Sequence, residues 1–323
     1  MNEDAPVQTE LSVVVAIVSD TTRSGHGVSP LEGALEALAQ QVDPPSMEVI
    51  VPHVAGFAGI ERLQRRFPKA TFFACTPPEY VESGSGREHH DVLRAEGIAR
   101  ARGRIVALIE DLGRPDPNWT ANLVKAFEPG VTGVGGAIEN DISRSLNWAV
   151  YFCDFGFYQN PVPAGTAWTI SDANGAYIRA ALESIADVWR QKFNQVSVNQ
   201  ALLERGAKLV LSGTVILHQH RAGLRFGEAL KERFVWGRSY GASRCQWLGG
   251  VSRIARLGLS PLLPFILVVR MAATVAKKGR CRAPFLRALP LIILLSGSWA
   301  AGEVSGYWTG TAKADRSTRK SAD

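Results

Sequence analysis

Two acids side by side, Glu110 and Asp111, directly follow the apolar run IVALI at 105–109. A strand buried on both faces reads as such a run, and in open α/β sheets ligands bind just beyond the carboxyl ends of the strands. Carboxylates there are hard oxygen donors, suited to Mg or Mn shared with a phosphate. The simpler use of the pair is a solvated turn begun by the Asp. A second set of reactive side chains closes a later segment, KLVLSGTVILHQH, where His218 and His220 are two apart and so would share one face of a strand. An imidazole there can be a ligand or an ordinary structural donor. Asp172 and Asn174, in SDANGAYIRAAL, precede a helical stretch that Tyr177 and Arg179 would begin, and either could be its N-cap.

The elements that must position these residues alternate. LSVVVAIV at 11–18 reads as a buried strand, followed by the polar loop SDTTRSGHGVSP. LEGALEALAQQV places Leu31, Ala34, Leu35 and Leu38 on one helical face and stops at DPPS. Strands follow at 47–52 and at ATFFAC, with a helix at 59–66 between them; TPPEYVESGSGREHH then reads as a loop able to lie over a ligand. A helix ending at Gly103 leads into IVALI, and a Pro-rich turn leads out of it to a helix from about Trp119. Strand, helix, strand in this order predicts parallel strands with right-handed crossovers.

With 323 residues, 46% hydrophobic and 20% charged, the chain can bury a large core in one or two domains. The net charge of +6 is concentrated after Arg221, in RAGLRFGEALKERFVWGRSYGASRCQW, VSRIAR, KKGRCR and KADRSTRK. Such clusters suit nucleic acid or an anionic membrane; because apolar runs lie between them, they point to membrane and away from nucleic acid. Residues 221–256 read as a basic, amphipathic interfacial region. Residues 257–304 contain two apolar stretches near the roughly 20 residues that span a bilayer. Each carries an Arg, Arg270 or Arg287, and the basic connector leaves a full hairpin and a shallow re-entrant one both open. Residues 1–10 and 305–323 read as disordered. Four scattered cysteines form no CxxC, which argues against structural zinc or a disulfide framework. The acidic start MNEDAPVQTE is no signal peptide, so the first two thirds are expected in the cytosol.

The order of LSVVVAIV, LEGALEALAQQ, MEVIV, RAEGIARARGRIVALIED with PDPNW, VTGVGGAIEN, ANGAYIRAAL and NQALLERGAKLVLSGTVILHQH resembles family 2 glycosyltransferases of the GT-A fold. The likeness covers about residues 10–220, and Glu-Asp together with GAIEN and WAVYFCDFGFY is similar to a bacterial branch in which the usual DxD is written Glu-Asp. It implies an α/β nucleotide-binding domain at 11–220 with a mostly parallel central sheet, followed by a helical membrane-associated region. It also implies transfer of a sugar, with inversion, from a nucleoside-diphosphate-sugar to a lipid-linked or polysaccharide acceptor at the cytoplasmic face of the cell inner membrane.

Carried over by the resemblance, Glu110 and Asp111 bind a divalent Mg or Mn, with His218 as an additional metal or phosphate ligand. Leu112 stands where the second acid of a DxD falls. Arg94 and Gly97 lie near the nucleotide, although Gly97 could simply allow close helix packing and Arg94 pair with an acid. Asp20 or Thr21 serves base and ribose, and His53 replaces the customary acid after the second strand. Asn174 faces sugar and acceptor, with Arg179 close behind. The aromatic stretch Trp148 to Tyr158 reads as packing. At the position of the base the chain has Gln195, preceded by Asn194, and neither ionises. Asp172, Asp187 or Asp154 could substitute, with Asp172 taken as the candidate. The missing carboxylate also leaves an alternative, a catalytically silent sugar-nucleotide-binding subunit of a membrane polysaccharide-synthesis assembly.

Overall fold

A computed structural model describes residues 9–19, 28–76, 87–245 and 258–310. They fall into two compact units: 9–142 with 157–223, and 143–156 with 224–310. The sequence reading kept 143–156 within the first domain, but this segment groups with the C-terminal helices.

In the first unit, β1 (Leu11–Ala16), β2 (Met47–Val54), β3 (Ala70–Cys75) and β4 (Ile105–Glu110) pair in parallel, in the order β3-β2-β1-β4. The helices between them are α1 (Ser29–Ala39), α2 (Ile60–Arg66) and α3 (Arg87–Arg100). The strands form because β-branched and apolar residues fill both faces: all six residues of β1 are buried, as are the first five of β4. Val13, Val15, Ile105, Ala107 and Ile109 meet Leu31, Leu35 and Leu38 of α1 on one face. Val14, Val106 and Leu108 meet Ala95 and Ile98 of α3 on the other. Glu110 continues the second set by strand alternation, so its side chain is on the α3 face.

Beyond β4 the sheet becomes mixed. It continues with β5 (Gly113–Pro115), α4 (Trp119–Ala126), β6 (Val131–Asn140), β7 (Asn174–Ile178), α6 (Arg179–Glu183), α7 (Ala186–Trp189), α8 (Gln195–Glu204) and β8 (Lys208–Gln219), α5 lying in the second unit. β7 is antiparallel to both β4 and β6, β6 and β8 are parallel, and β5 is antiparallel to β8. Of the eight strands among the described residues, β5 and β7 run against the other six. The helix expected to begin at Tyr177 begins at Arg179, because residues 174–178 are spent pairing with β4.

Gly97 of α3 faces β1, where an added Cβ would be 2.3 Å from Val14 Cγ1. Gly97→Ala is expected to cost about 1–3 kcal/mol of stability by overpacking. Chemical denaturation checks this, and an unchanged midpoint would mean that Val14 yields without strain.

The second unit contains α5 (Ser145–Asp154), α9 (Phe226–Cys245), a 3-10 turn (Ser260–Leu262), α10 (Leu263–Lys278) and α11 (Arg282–Thr309). Trp148 stacks on Phe152, which meets Phe285 of α11 edge-on at 5.1 Å. Asp154 of α5 is ion-paired to the buried Arg233 of α9. Helices α9 and α11 touch through backbone: an added Cβ on Gly302 would be 2.0 Å from the Phe234 carbonyl, and one on Gly306 2.2 Å from that of Arg238. Residues 305–309, expected in a disordered tail, are therefore helical, with Gly306 and Tyr307 buried. Ser260–Lys278 and Arg282–Thr309 are long and apolar enough to cross a membrane.

Candidate functional site

Strand β4 delivers Glu110 to the carboxyl edge of the sheet, and α3 delivers Arg94 to meet it. Arg94 is 3% exposed, and its Nη2 donates to Glu110 Oε1 at 2.9 Å. The same nitrogen is 3.3 Å from Asp172 Oδ2, while Nη1 is 3.4 Å from Asp91 Oδ1, one helical turn back. Three carboxylates thus share one guanidinium. Burial pushes Glu110 up to about 7 from its ordinary 4.5; Arg94 opposes this, Asp172 and Asp111 add to it, and Arg221 again opposes it. Acids buried this close together raise one another's cost of ionisation, and positive charge nearby lowers it.

Asp111, 1% exposed, is turned toward the end of β1. Its Oδ1 accepts the Val18 N–H at 2.9 Å and the Ser19 N–H at 3.3 Å, and its Oδ2 accepts the Ser19 hydroxyl. The carboxylate therefore shapes the loop that leads to Asp20. Asp20 itself, with Thr21, lies outside the described residues.

His218 is a register neighbour of Arg114 on β5 and of Glu139 on β6. Leu217 next to it joins the α1-side core, so His218 projects to the same face as Glu110. Strand β8 ends at Gln219, so His220, expected to share its face with His218, lies just beyond it. His220 Nδ1 meets Asp141 Oδ2 at 2.7 Å, and the His220 backbone N–H donates to the Leu112 carbonyl at 2.8 Å, tying the end of β8 to the residue after Asp111. Among the described residues no three His, Cys, Asp or Glu side chains converge to hold an ion unaided.

The position where the resemblance requires a base lies beside this cluster. Gln195 Oε1 accepts the Asp172 N–H at 3.3 Å, and Gln195 Nε2 donates to Thr169 Oγ1 at 3.3 Å. Asn194 is the N-cap of α8, accepting from Val196 and Ser197. Of the possible substitutes, Asp187 is exposed and Asp154 lies in the second unit against Arg233, leaving Asp172 as the one joined to Glu110 through Arg94.

Asn174 has another task. Its Oδ1 accepts Trp119 Nε1–H at 2.9 Å, and its Nδ2 donates to the carbonyls of Ala137 and Val215 at 2.8 and 3.0 Å. It is a buried brace joining β7, β6, β8 and α4, and it requires Gly136, where a Cβ would be 2.1 Å from Asn174 Nδ2. Neither it nor Asp172 caps α6, whose N-cap is Ile178.

Arg179 is not brought to the site. It donates to the Gly103 carbonyl at 3.1 Å and pairs with Glu183, at the amino end of β4. At about 3.3 Å per strand residue this is roughly 17 Å from Glu110. Gly97 faces the core and not the site. Sequence reasoning missed Asp91, Ser19 and Arg221; the i,i+3 spacing of Asp91 and Arg94 was the one signal available.

No protein-family model matches the chain, and no curated protein does. Among solved structures it resembles the mannosyltransferase PcManGT from Pyrobaculum calidifontis in complex with GDP-Man and Mn2+, with a TM-score of 0.52 and 15% identity over 95% of this chain and 91% of that one. The chain shares its overall fold with that mannosyltransferase. S. aureus TarS matches more loosely, with a TM-score of 0.43 and 12% identity over 71% of this chain and 39% of that one. In the α/β sheet of this chain, the Arg94 cluster occupies the carboxyl edge, where such sheets receive their ligands.

Proposed function

We propose that the chain is a membrane-associated glycosyltransferase that moves a sugar, with inversion, from a nucleoside-diphosphate-sugar to a lipid-linked or polysaccharide acceptor. The observation that carries this is the sharing of one buried guanidinium by Glu110, Asp172 and Asp91, with Asp111 adjacent, at the ligand-receiving edge of a glycosyltransferase fold. Carboxylates grouped at this edge suit a divalent Mg or Mn. Such ions take one or two carboxylates and complete their shell with substrate phosphates. Glu110 and Asp111 would hold the ion and His218 would assist. When bound, it offsets charge on the departing nucleoside diphosphate.

The chain's own residues do the rest. Arg94 fixes Glu110 and Asp172 relative to each other, and Asp111 holds the β1 loop. Asp172 takes the proton from the acceptor hydroxyl as that oxygen bonds to the anomeric carbon and the bond to the diphosphate breaks. The two apolar helices support a membrane-linked acceptor, read as lying at the cytoplasmic face of the inner membrane. A second reading, a silent sugar-nucleotide-binding subunit, has in its favour that Gln195 stands beside Asp172 where a base is required.

Purified protein is expected to release nucleoside diphosphate from a donor panel only with Mg or Mn present. Asp111→Ala should lower this rate by at least about 100-fold, the scale of losing one transition-state charge stabiliser. Full turnover in that variant would overturn the cation assignment. Donor binding without turnover in the parent would favour the silent subunit.

A further inference from the structure

The described helices of the second unit limit how a membrane can meet this chain. Helices α9 and α11 run parallel in close contact, from the Ser298 hydroxyl donating to the Leu230 carbonyl at 2.7 Å, through Gly302 on Phe234, to Gly306 on Arg238. By this register the first turn of α9 lies near residue 294 of α11. Helix α9 carries Glu228, Lys231, Glu232, Arg233, Arg238 and Arg244 within 20 residues. If α11 crossed a bilayer along its length, it would draw those charges into the hydrocarbon beside it, which membrane segments do not sustain.

The part of α11 ahead of α9, 282–294, is about 20 Å long, short of the roughly 30 Å hydrocarbon core, and it includes the exposed Arg287. Helix α10 meets a similar limit. Its exposed side runs Leu262, Phe265, Ile266 and Val269, then Arg270 and Lys277. Arg270 would face lipid near the middle of a span. Read along the hairpin, most exposed apolar residues lie away from the turn, Leu262 in the 3-10 turn, Phe265, Ile266 and Val269 on α10 and Ile293 with Leu294 on α11, while Lys277, Lys278, Arg282 and Arg287 gather toward the turn, with the exposed Leu286 among them. An apolar side with a basic margin matches the interface of an anionic bilayer, with acyl chains below and phosphates beside.

We propose that α10 and α11 are a one-leaflet anchor: their exposed apolar side is buried in the interface of an anionic phospholipid bilayer, and neither helix crosses it. This rests on the membrane association proposed above and is independent of the transfer chemistry.

The test adds the purified full chain to preformed, sealed vesicles of phosphatidylcholine with phosphatidylglycerol. Cysteines are introduced singly by Lys277→Cys at the turn end of α10 and by Gln64→Cys on the exposed side of α2. Labelling by a membrane-impermeant maleimide is read above that of the parent protein. The chain is expected to sediment with the vesicles, about tenfold less with phosphatidylcholine alone, and both cysteines should label fully without detergent. If the chain binds but Lys277→Cys labels only after detergent, the helices cross and the inference falls while membrane association stands. Failure to bind either vesicle overturns both. Nucleoside diphosphate release by the same preparation reports separately on the transferase reading.

Discussion

Arg94→Met is expected to destabilise the first unit by about 3–5 kcal/mol, the scale of leaving buried charge without its partner. The guanidinium is the direct partner of Glu110, Asp172 and Asp91, and methionine fills its volume with no charge. The loss should grow with pH. Burial already holds the Glu110 proton more tightly in the folded state, up to about 7, so its contribution favours folding at low pH and is lost as pH rises from 4.5 through 7. Arg94 is the largest influence opposing that rise, and its removal extends the unfavourable window upward. The melting temperatures of parent and variant should therefore differ more at pH 8 than at pH 5. A gap that does not widen with pH would mean that the cluster stays protonated throughout or that Arg94 is not its counter-charge. Arg94→Lys should recover only part of the loss, since one ammonium cannot reproduce a planar fork shared by three carboxylates.

Asp172→Asn is expected to lower turnover by about 10²–10⁴-fold, the range for loss of a general base, with donor affinity unchanged within a few-fold. The substitution keeps the backbone N–H that donates to Gln195 and nearly the same shape, but removes the acceptor for the hydroxyl proton. Calorimetry with the donor and release of nucleoside diphosphate separate the two effects. Turnover within threefold of the parent would remove Asp172 from the chemistry. A matched loss of donor affinity would make it a binding residue that acts through Arg94.

Much of the scaffold was legible because burial leaves a direct trace in composition. LSVVVA and IVALI read as strands covered on both faces, and the spacing of Leu31, Ala34, Leu35 and Leu38 gave α1 an apolar face, which packs against them. The two acids after IVALI were legible for the same reason: a carboxylate at the end of an apolar run stands out. Residues whose task depends on distant strands were harder to read. Asn174 carries the composition of a cap or a ligand, yet three hydrogen bonds to α4, β6 and β8 make it a brace. Arg179 follows it by five residues, but because β7 runs against β4 it arrives at the opposite end of the strand.

Sequence by itself determined the alternating α/β half, the position of Glu110 and Asp111 at a sheet edge, and two long apolar helices beyond. Tertiary structure alone decided that Arg94 gathers Glu110, Asp172 and Asp91, that Asp111 grips the β1 loop, and that α11 is sheathed by a charged helix. The difference is one of range. Strand and helix patterns are written within a few residues by periodicity, whereas the pairs of Arg94 with Glu110 and Asp172 join residues 16 and 78 positions apart, set only when the sheet brings their elements together.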